Sequence, residues 1–261
     1  MPELLGSHDI LFVTLDTLRY DVAAELAAAG RTPALAAVLP GGAWQRRHTP
    51  ASFTYAAHHA FFAGFLPTPP GPGPHPRLFA ARFPGSQSTS DGTWVFDAPD
   101  VVTALAGVGY HTVCVGGVGF FNRRSPLGSV LPGLFADSYW SPQLGVTNPA
   151  CFEAQLDVVE ALPERGPRLL FVNVSAVHQP NHHYLPGSTV DSWASHAAAL
   201  EYVDRHIGRL FAAATGAGRP CLVVICSDHG TAYGEDGHHG HRCAHEVVWT
   251  VPYAEFILGA R

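Results

Sequence analysis

The run Cys221–Cys226, CLVVIC, constrains this chain more than any other stretch, because it is short for a helix and rich in β-branched residues. It reads as a strand buried on both faces, the kind that belongs inside a parallel sheet. At its carboxyl end it delivers Ser227, Asp228, His229 and Gly230. Ligands of open α/β sheets bind beyond the carboxyl ends of the strands, so an Asp-His pair there stands where chemistry is usually done. A polar turn closing a buried strand explains Asp-His-Gly equally well when it is taken alone. The second segment Asp9–Asp16, DILFVTLD, has the same design, an apolar β-branched run closed by a carboxylate. If the two strands are parallel neighbours, Asp16, Asp228 and His229 converge on one sheet edge.

At 261 residues and 47% hydrophobic, the chain can bury one substantial core and fits a single α/β domain. A net charge of −6 and the lack of a basic stripe argue against nucleic acid as a partner. No basic segment leading into an apolar one precedes Asp9, and no apolar run approaches membrane-spanning length, so neither a signal peptide nor a membrane is expected. Five cysteines without disulfide or zinc-finger spacing read as reduced core residues, and the cytoplasm is the expected compartment. The sequon Asn173-Val174-Ser175 lies in an apolar strand pattern and reads as chance.

Taken in order, Thr17 is read as a helix start for Tyr20–Ala29, closed by Gly30, with Arg19 and Asp21 bonded within the turn. A short helix follows from Thr32-Pro33 to Leu39. The apolar stretch YAAHHAFFAGFLP predicts a helix ending at Gly64, with Thr54 or Ser52 at its amino end. A hydroxyl in that position lies near free backbone N–H groups that suit a phosphate or sulfate. Leu66–Pro76 is too rich in proline and glycine for a regular element and reads as a rim over the site or a stiff spacer. Asp97 is expected to cap a helix to Ala106, followed by a strand at His111–Val115, a helix at Ala150–Leu162 and a strand at Arg168–Val174. A long helix from Ser192 to Ala214 presents Ala199, Val203, Ile207, Leu210 and Phe211 to the sheet, leaving Asp204 and His206 for the surface.

The pair LFVTLDTLRYD and VICSDHG resembles the opening and closing metal motifs of the alkaline phosphatase/sulfatase superfamily. The similarity runs in the family's order through Ser52–Pro67, Gly109–Gly117, Val172–Pro180 and Val251–Phe256, essentially the whole chain. It implies a three-layer α/β/α sandwich around a mostly parallel sheet. Sulfatases open this helix with the Cys or Ser of C-x-P-S-R, which matures to formylglycine. Thr54 takes that position here, His58 falls on the arginine, and Gly117 replaces the lysine of G-Y-x-T-x-x-x-G-K. Arg123 and Arg124 are the nearest cations along the chain, read as a solvated pair or as substitutes for that lysine. His178 matches the histidine after the strand in an H-x-P context, with His182 and His183 in reserve outside it. His241 lies thirteen residues beyond Asp228, which resembles the spacing in metal-dependent phosphoethanolamine transferases, where such a histidine binds substrate. The neighbouring His238, His239 and His245 read as solvated. A single domain lacking the carboxyl-terminal subdomain of typical sulfatases is expected.

The resemblance therefore implies one divalent cation held by Asp16, Thr54, Asp228 and His229. Zinc or manganese suits three oxygens and one imidazole, with calcium as an alternative. A second metal of the alkaline phosphatase kind would need an acidic residue where the chain has Asn173. The expected activity is hydrolysis of phosphate mono- or diesters by a threonine nucleophile, with His178 and His241 binding substrate oxygens or protonating the leaving group, and with an alcohol acceptor as a variant. The alternatives are a sulfatase, and a metal-stabilised binding protein that has lost turnover. The substrate class is an ester-bearing small molecule, and a homo-oligomer is left open.

Overall fold

A computed structural model describes residues 4–64 and 100–259. Asp97 and Leu66–Pro76 lie outside the described residues. Strand β1 (Asp9–Leu15) enters the centre of the sheet and is followed by α1 (Tyr20–Ala28), α2 (Pro33–Ala36), β2 (Gln45–His48) and α3 (Thr54–Ala63). Then come α4 (Val101–Gly107), β3 (His111–Val115), α5 (Pro126–Val130), β4 (Asp137–Tyr139), α6 (Cys151–Glu160) and β5 (Arg168–Val174). The remaining elements are α7 (Trp193–Thr215), β6 (Cys221–Cys226), a small hairpin of β7 (Ala232–Tyr233) and β8 (His239–Gly240), α8 (Glu246–Trp249) and β9 (Thr250–Leu258).

The main sheet has seven strands in the order β2-β9-β6-β1-β5-β3-β4. β4, β3, β5, β1 and β6 run parallel, while β9 joins β6 antiparallel and β2 joins β9 antiparallel. Alternation along β1 divides the core. Leu11, Val13 and Leu15 face a cluster built from α1, α6 and α7, and Ile10 and Phe12 face one that includes Phe62, Val102, Phe121 and Phe171. The result is the expected three-layer α/β/α sandwich. In β6, however, Leu222 and Val224 are only half-buried, so among the described residues this strand is not covered fully on both faces. No described helix is long and apolar enough to cross a membrane.

α7 is capped by Ser192 and buries all five predicted apolar positions. Asp204 departs from expectation. It is 3% exposed and accepts hydrogen bonds from the Ala34 and Leu35 amides at 3.2 and 2.8 Å, capping α2 from another helix. His206 stays partly exposed beside Glu153. Asp100 caps α4 through the Thr103 amide. α2 is shorter than predicted, because the chain turns away after Ala36. The five cysteines are unbridged and four of them are buried. Asn173 is also buried, which removes the sequon from solvent.

Candidate metal centre and its cleft

The register of β1 against β6 sets the site. Thr14 is opposite Cys226, and each carboxylate lies two residues further along, so Asp16 and Asp228 emerge at the same level of adjacent parallel strands. One ligand atom each of Asp16, Asp228 and His229 lies within 4.8 Å of the others, and all three residues are fully buried. His229 Nε2 is 3.4 Å from Asp228 Oδ2 and 3.9 Å from Asp16 Oδ1. Thr54, the first residue of α3, brings its hydroxyl to 3.2 Å from the same nitrogen. Asp16, Asp228 and His229 thus meet at one place, with the Thr54 hydroxyl next to the His229 nitrogen. Neither Thr54 nor Ser52 caps α3 with its side chain, and the residue preceding the helix is Phe53.

The unsatisfied atoms of this cluster fit a cation. Asp228 Oδ1 accepts from the amides of Thr17 and His229 at 3.2 and 3.1 Å, and Asp16 Oδ2 accepts from Asn173 Nδ2 at 3.0 Å. The other oxygens, Asp16 Oδ1 and Asp228 Oδ2, are buried and have no hydrogen-bond partner among the described residues. Such orphans are costly unless something positive meets them. His229 Nδ1 lies 2.9 Å from the Gly230 carbonyl, which fixes the proton on Nδ1 and turns the Nε2 lone pair toward the carboxylates. Two carboxylate oxygens, a hydroxyl and an imidazole nitrogen match the donors that zinc or manganese accepts.

Local backbone geometry holds these groups in place. Thr17 is not a helix start. It has φ +66°, unusual for a β-branched residue, and this turns its amide onto Asp228 while its hydroxyl donates to the Val177 carbonyl. Gly230 follows the Asp-His pair where a Cβ would lie 1.9 Å from the Val247 carbonyl oxygen. Arg19 and Asp21 do bond each other, and the buried Arg19 guanidinium also holds Glu235 in the loop leading to His241.

Asn173 is the residue whose role the sequence did not reveal. Its Oδ1 accepts from the Gly117 and Val118 amides, while Nδ2 donates to Asp16 Oδ2 and Thr14 Oγ1. It orients a ligand and does not offer a second acidic one. Gly117 itself has no room for a lysine, since a Cβ there would lie 2.5 Å from the Asn173 carbonyl oxygen and from Ser175 Cβ. His58 does not supply an arginine's charge either. It is buried among Phe61, Phe62, Phe121 and Phe171, and burial lowers its pKa to about 3. Its Nδ1 donates to the Thr54 carbonyl at 2.7 Å and its Nε2 accepts from the Thr14 hydroxyl at 3.0 Å.

The His241 ring lies tilted against His229, with centroids 4.6 Å apart, and the His178 ring lies 5.7 Å from that of His241. Burial, then the neighbouring His229 and His178, lower His241 to about 3, which keeps it neutral. Both histidines and Thr54 line an open cleft of about 560 Å³ that runs on past Gly117 to Arg124 and Trp140. His182 bonds Asp191 and His183 packs on Tyr184, and neither lines the cleft. His238 and His245 pack on each other, with His245 beside Asp236.

Burial, followed for Asp16 by repulsion from Asp228, raises Asp16 to about 6, and burial raises Asp228 to about 7. A carboxyl whose pKa is higher folded than unfolded binds more protons in the native state, so its contribution is present at low pH and lost as pH rises through the folded value. The protons on Asp16 and Asp228 compete with a cation, so added zinc or manganese should raise Tm more at pH 8 than at pH 5.5. Scanning calorimetry across that range, with and without the ion, checks this. A metal-induced shift independent of pH would contradict it.

No curated protein shows significant sequence similarity to the chain. Among solved structures it is similar to the C-terminal periplasmic domain of EcEptC from Escherichia coli in complex with zinc, at 12% identity and TM-score 0.65, covering 96% of this chain and 72% of that one. It is similar to the soluble domain of lipooligosaccharide phosphoethanolamine transferase A from Neisseria meningitidis at 14% identity and TM-score 0.64, covering 97% and 77%. A putative sulfatase from Bacteroides thetaiotaomicron matches at 13% identity and TM-score 0.63, covering 98% and 65%. These likenesses establish the fold, and the sulfatase family model matches residues 8–253, nearly the whole chain, so the chain belongs to the sulfatase family.

Proposed function

We propose that this protein is a metal-dependent hydrolase of phosphate mono- or diesters with Thr54 as its nucleophile, and that an alcohol can replace water as the acceptor. The observation that carries the reading is the buried Thr54 hydroxyl, 3.2 Å from the Nε2 of His229, whose cluster holds two carboxylate oxygens with no hydrogen-bond partner among the described residues. A divalent cation held by Asp16, Thr54, Asp228 and His229 would lower the hydroxyl pKa and offset charge at the attacked phosphorus. Thr54 Oγ1, its proton released to solvent, forms its bond to phosphorus as the bond to the leaving oxygen breaks, giving a phosphothreonine. Neutral His241 donates a hydrogen bond to a non-bridging oxygen, and His178 protonates the leaving oxygen. Water or an alcohol then attacks the phosphothreonine and restores the hydroxyl.

Three features favour phosphoryl over sulfuryl transfer. Oxidising a threonine would give a ketone where a sulfatase has an aldehyde, His58 is uncharged, and position 117 excludes a lysine. Metal analysis of the purified protein, followed by turnover of chromogenic phosphate monoesters, phosphodiesters, phosphonates and sulfate esters, tests the reading. The expected result is a bound transition metal and activity on phosphoesters. Turnover confined to sulfate esters would overturn it.

A further inference from the structure

The cleft continues well beyond the space that one phosphoryl group fills, and its far part carries charge that the chemistry above does not use. In a chain of net charge −6, its lining among the described residues includes Arg124, Arg242, His178 and His241 and no carboxylate. Arg123 is turned away, with its guanidinium on Ser138. Arg124 instead lies 4.6 Å over the Trp140 ring, and Trp140 Nε1 donates to the Gly117 carbonyl at 3.3 Å. Arg242 stands 5.3 Å over Phe53, and its amide donates to the Ser52 carbonyl at 2.9 Å. Among the described residues neither guanidinium has a carboxylate partner.

A guanidinium stacked on an aromatic ring has one face covered and its N–H edge free, the geometry that takes a carboxylate or phosphate in its own plane. Stacking also restrains the side chain, so less freedom is lost on binding. Arg242 contributes from the nucleophile's side of the cleft, which Thr54 also lines.

We infer that Arg124, stacked on Trp140 and assisted by Arg242, forms a subsite for a second anionic group of the substrate, a carboxylate or phosphate borne by the part that departs from the transferred phosphoryl. This rests on the phosphoester reading. The substrate class narrows accordingly to phosphoesters with two anionic ends.

The test compares 4-carboxyphenyl phosphate with its uncharged isostere 4-carbamoylphenyl phosphate, and includes 1,4-phenylene bisphosphate to separate carboxylate from phosphate preference. The metal-loaded enzyme should prefer the charged esters in kcat/KM by about tenfold or more, chiefly through KM, as expected for one charge-assisted contact. In Arg124→Ala that preference should fall to within about threefold, and in Arg124→Glu it should reverse. Equal kcat/KM for charged and uncharged esters, or a preference that survives Arg124→Ala, overturns the subsite. If no phosphoester is turned over, the phosphoester reading fails first. Calorimetric titration of metal-loaded protein with 4-carboxyphenylphosphonate and 4-carbamoylphenylphosphonate then decides the subsite separately, the same ratio supporting it and equal affinities overturning it.

Discussion

Replacing Thr54 by alanine is expected to reduce phosphoester turnover by about a thousandfold or more while the fold stays intact. Thr54 is only 2% exposed where it meets the cleft, and its hydroxyl lies 3.2 Å from His229 Nε2. It caps no helix, so its loss removes chemistry and leaves the helix end unchanged. Thr54→Ser keeps the oxygen and should retain a measurable fraction of activity. Mass spectrometry of acid-quenched enzyme should find phosphate on the peptide that contains Thr54. Undiminished turnover in Thr54→Ala would move the nucleophile elsewhere, with Ser52 the nearest hydroxyl on the same loop.

Asp228→Asn and His229→Ala should each weaken the bound cation by more than about a hundredfold, beyond the effect of losing only a partner that orients a ligand. Asp228→Asn is the sharper variant. The amide oxygen can still accept from the Thr17 and His229 amides, so the turn survives while the charge goes. Because burial already disfavours the charged Asp228, the metal-free variant should be no less stable than the metal-free parent above pH 7. Metal content after dialysis and the metal-dependent rise in Tm are the readouts. Full occupancy in both variants would place the ion elsewhere, most plainly in the loop from His238 to His245.

Much of this was legible in the sequence, because a buried strand that ends in a carboxylate leaves a local mark. β1 and β6 carry that mark, and their pairing turned two separate motifs into one centre. Asp204 shows where local reading stops. A carboxylate on the polar side of a helix looks solvated, yet it caps α2, an element 170 residues away that no spacing within α7 points to. Asn173 looked incidental in an apolar strand, and its meaning appears only with the pairing of Asn173 opposite Thr14, which sets it beside Asp16. Arg123 and Arg124 are adjacent in sequence and differ in fate, because Arg123 adopts φ +54° and sends the two side chains to different neighbours.

The joining of β1 to β6 has a kinetic consequence. The Thr17 amide and the Asp228 carboxylate that it bonds are 211 residues apart along the chain, and Asp16 stands one residue earlier still. Contacts of such separation carry a high loop-closure cost and form late. Early local structure in α1 or α7 can therefore exist without any competent site. The cation can stabilise only molecules in which β6 has already docked, so it should slow unfolding and leave the rate-limiting search for that pairing unchanged. A chain interrupted before β6 would hold Asp16 at the end of an unpaired strand edge, exposed to association with other chains until its distant partner arrives.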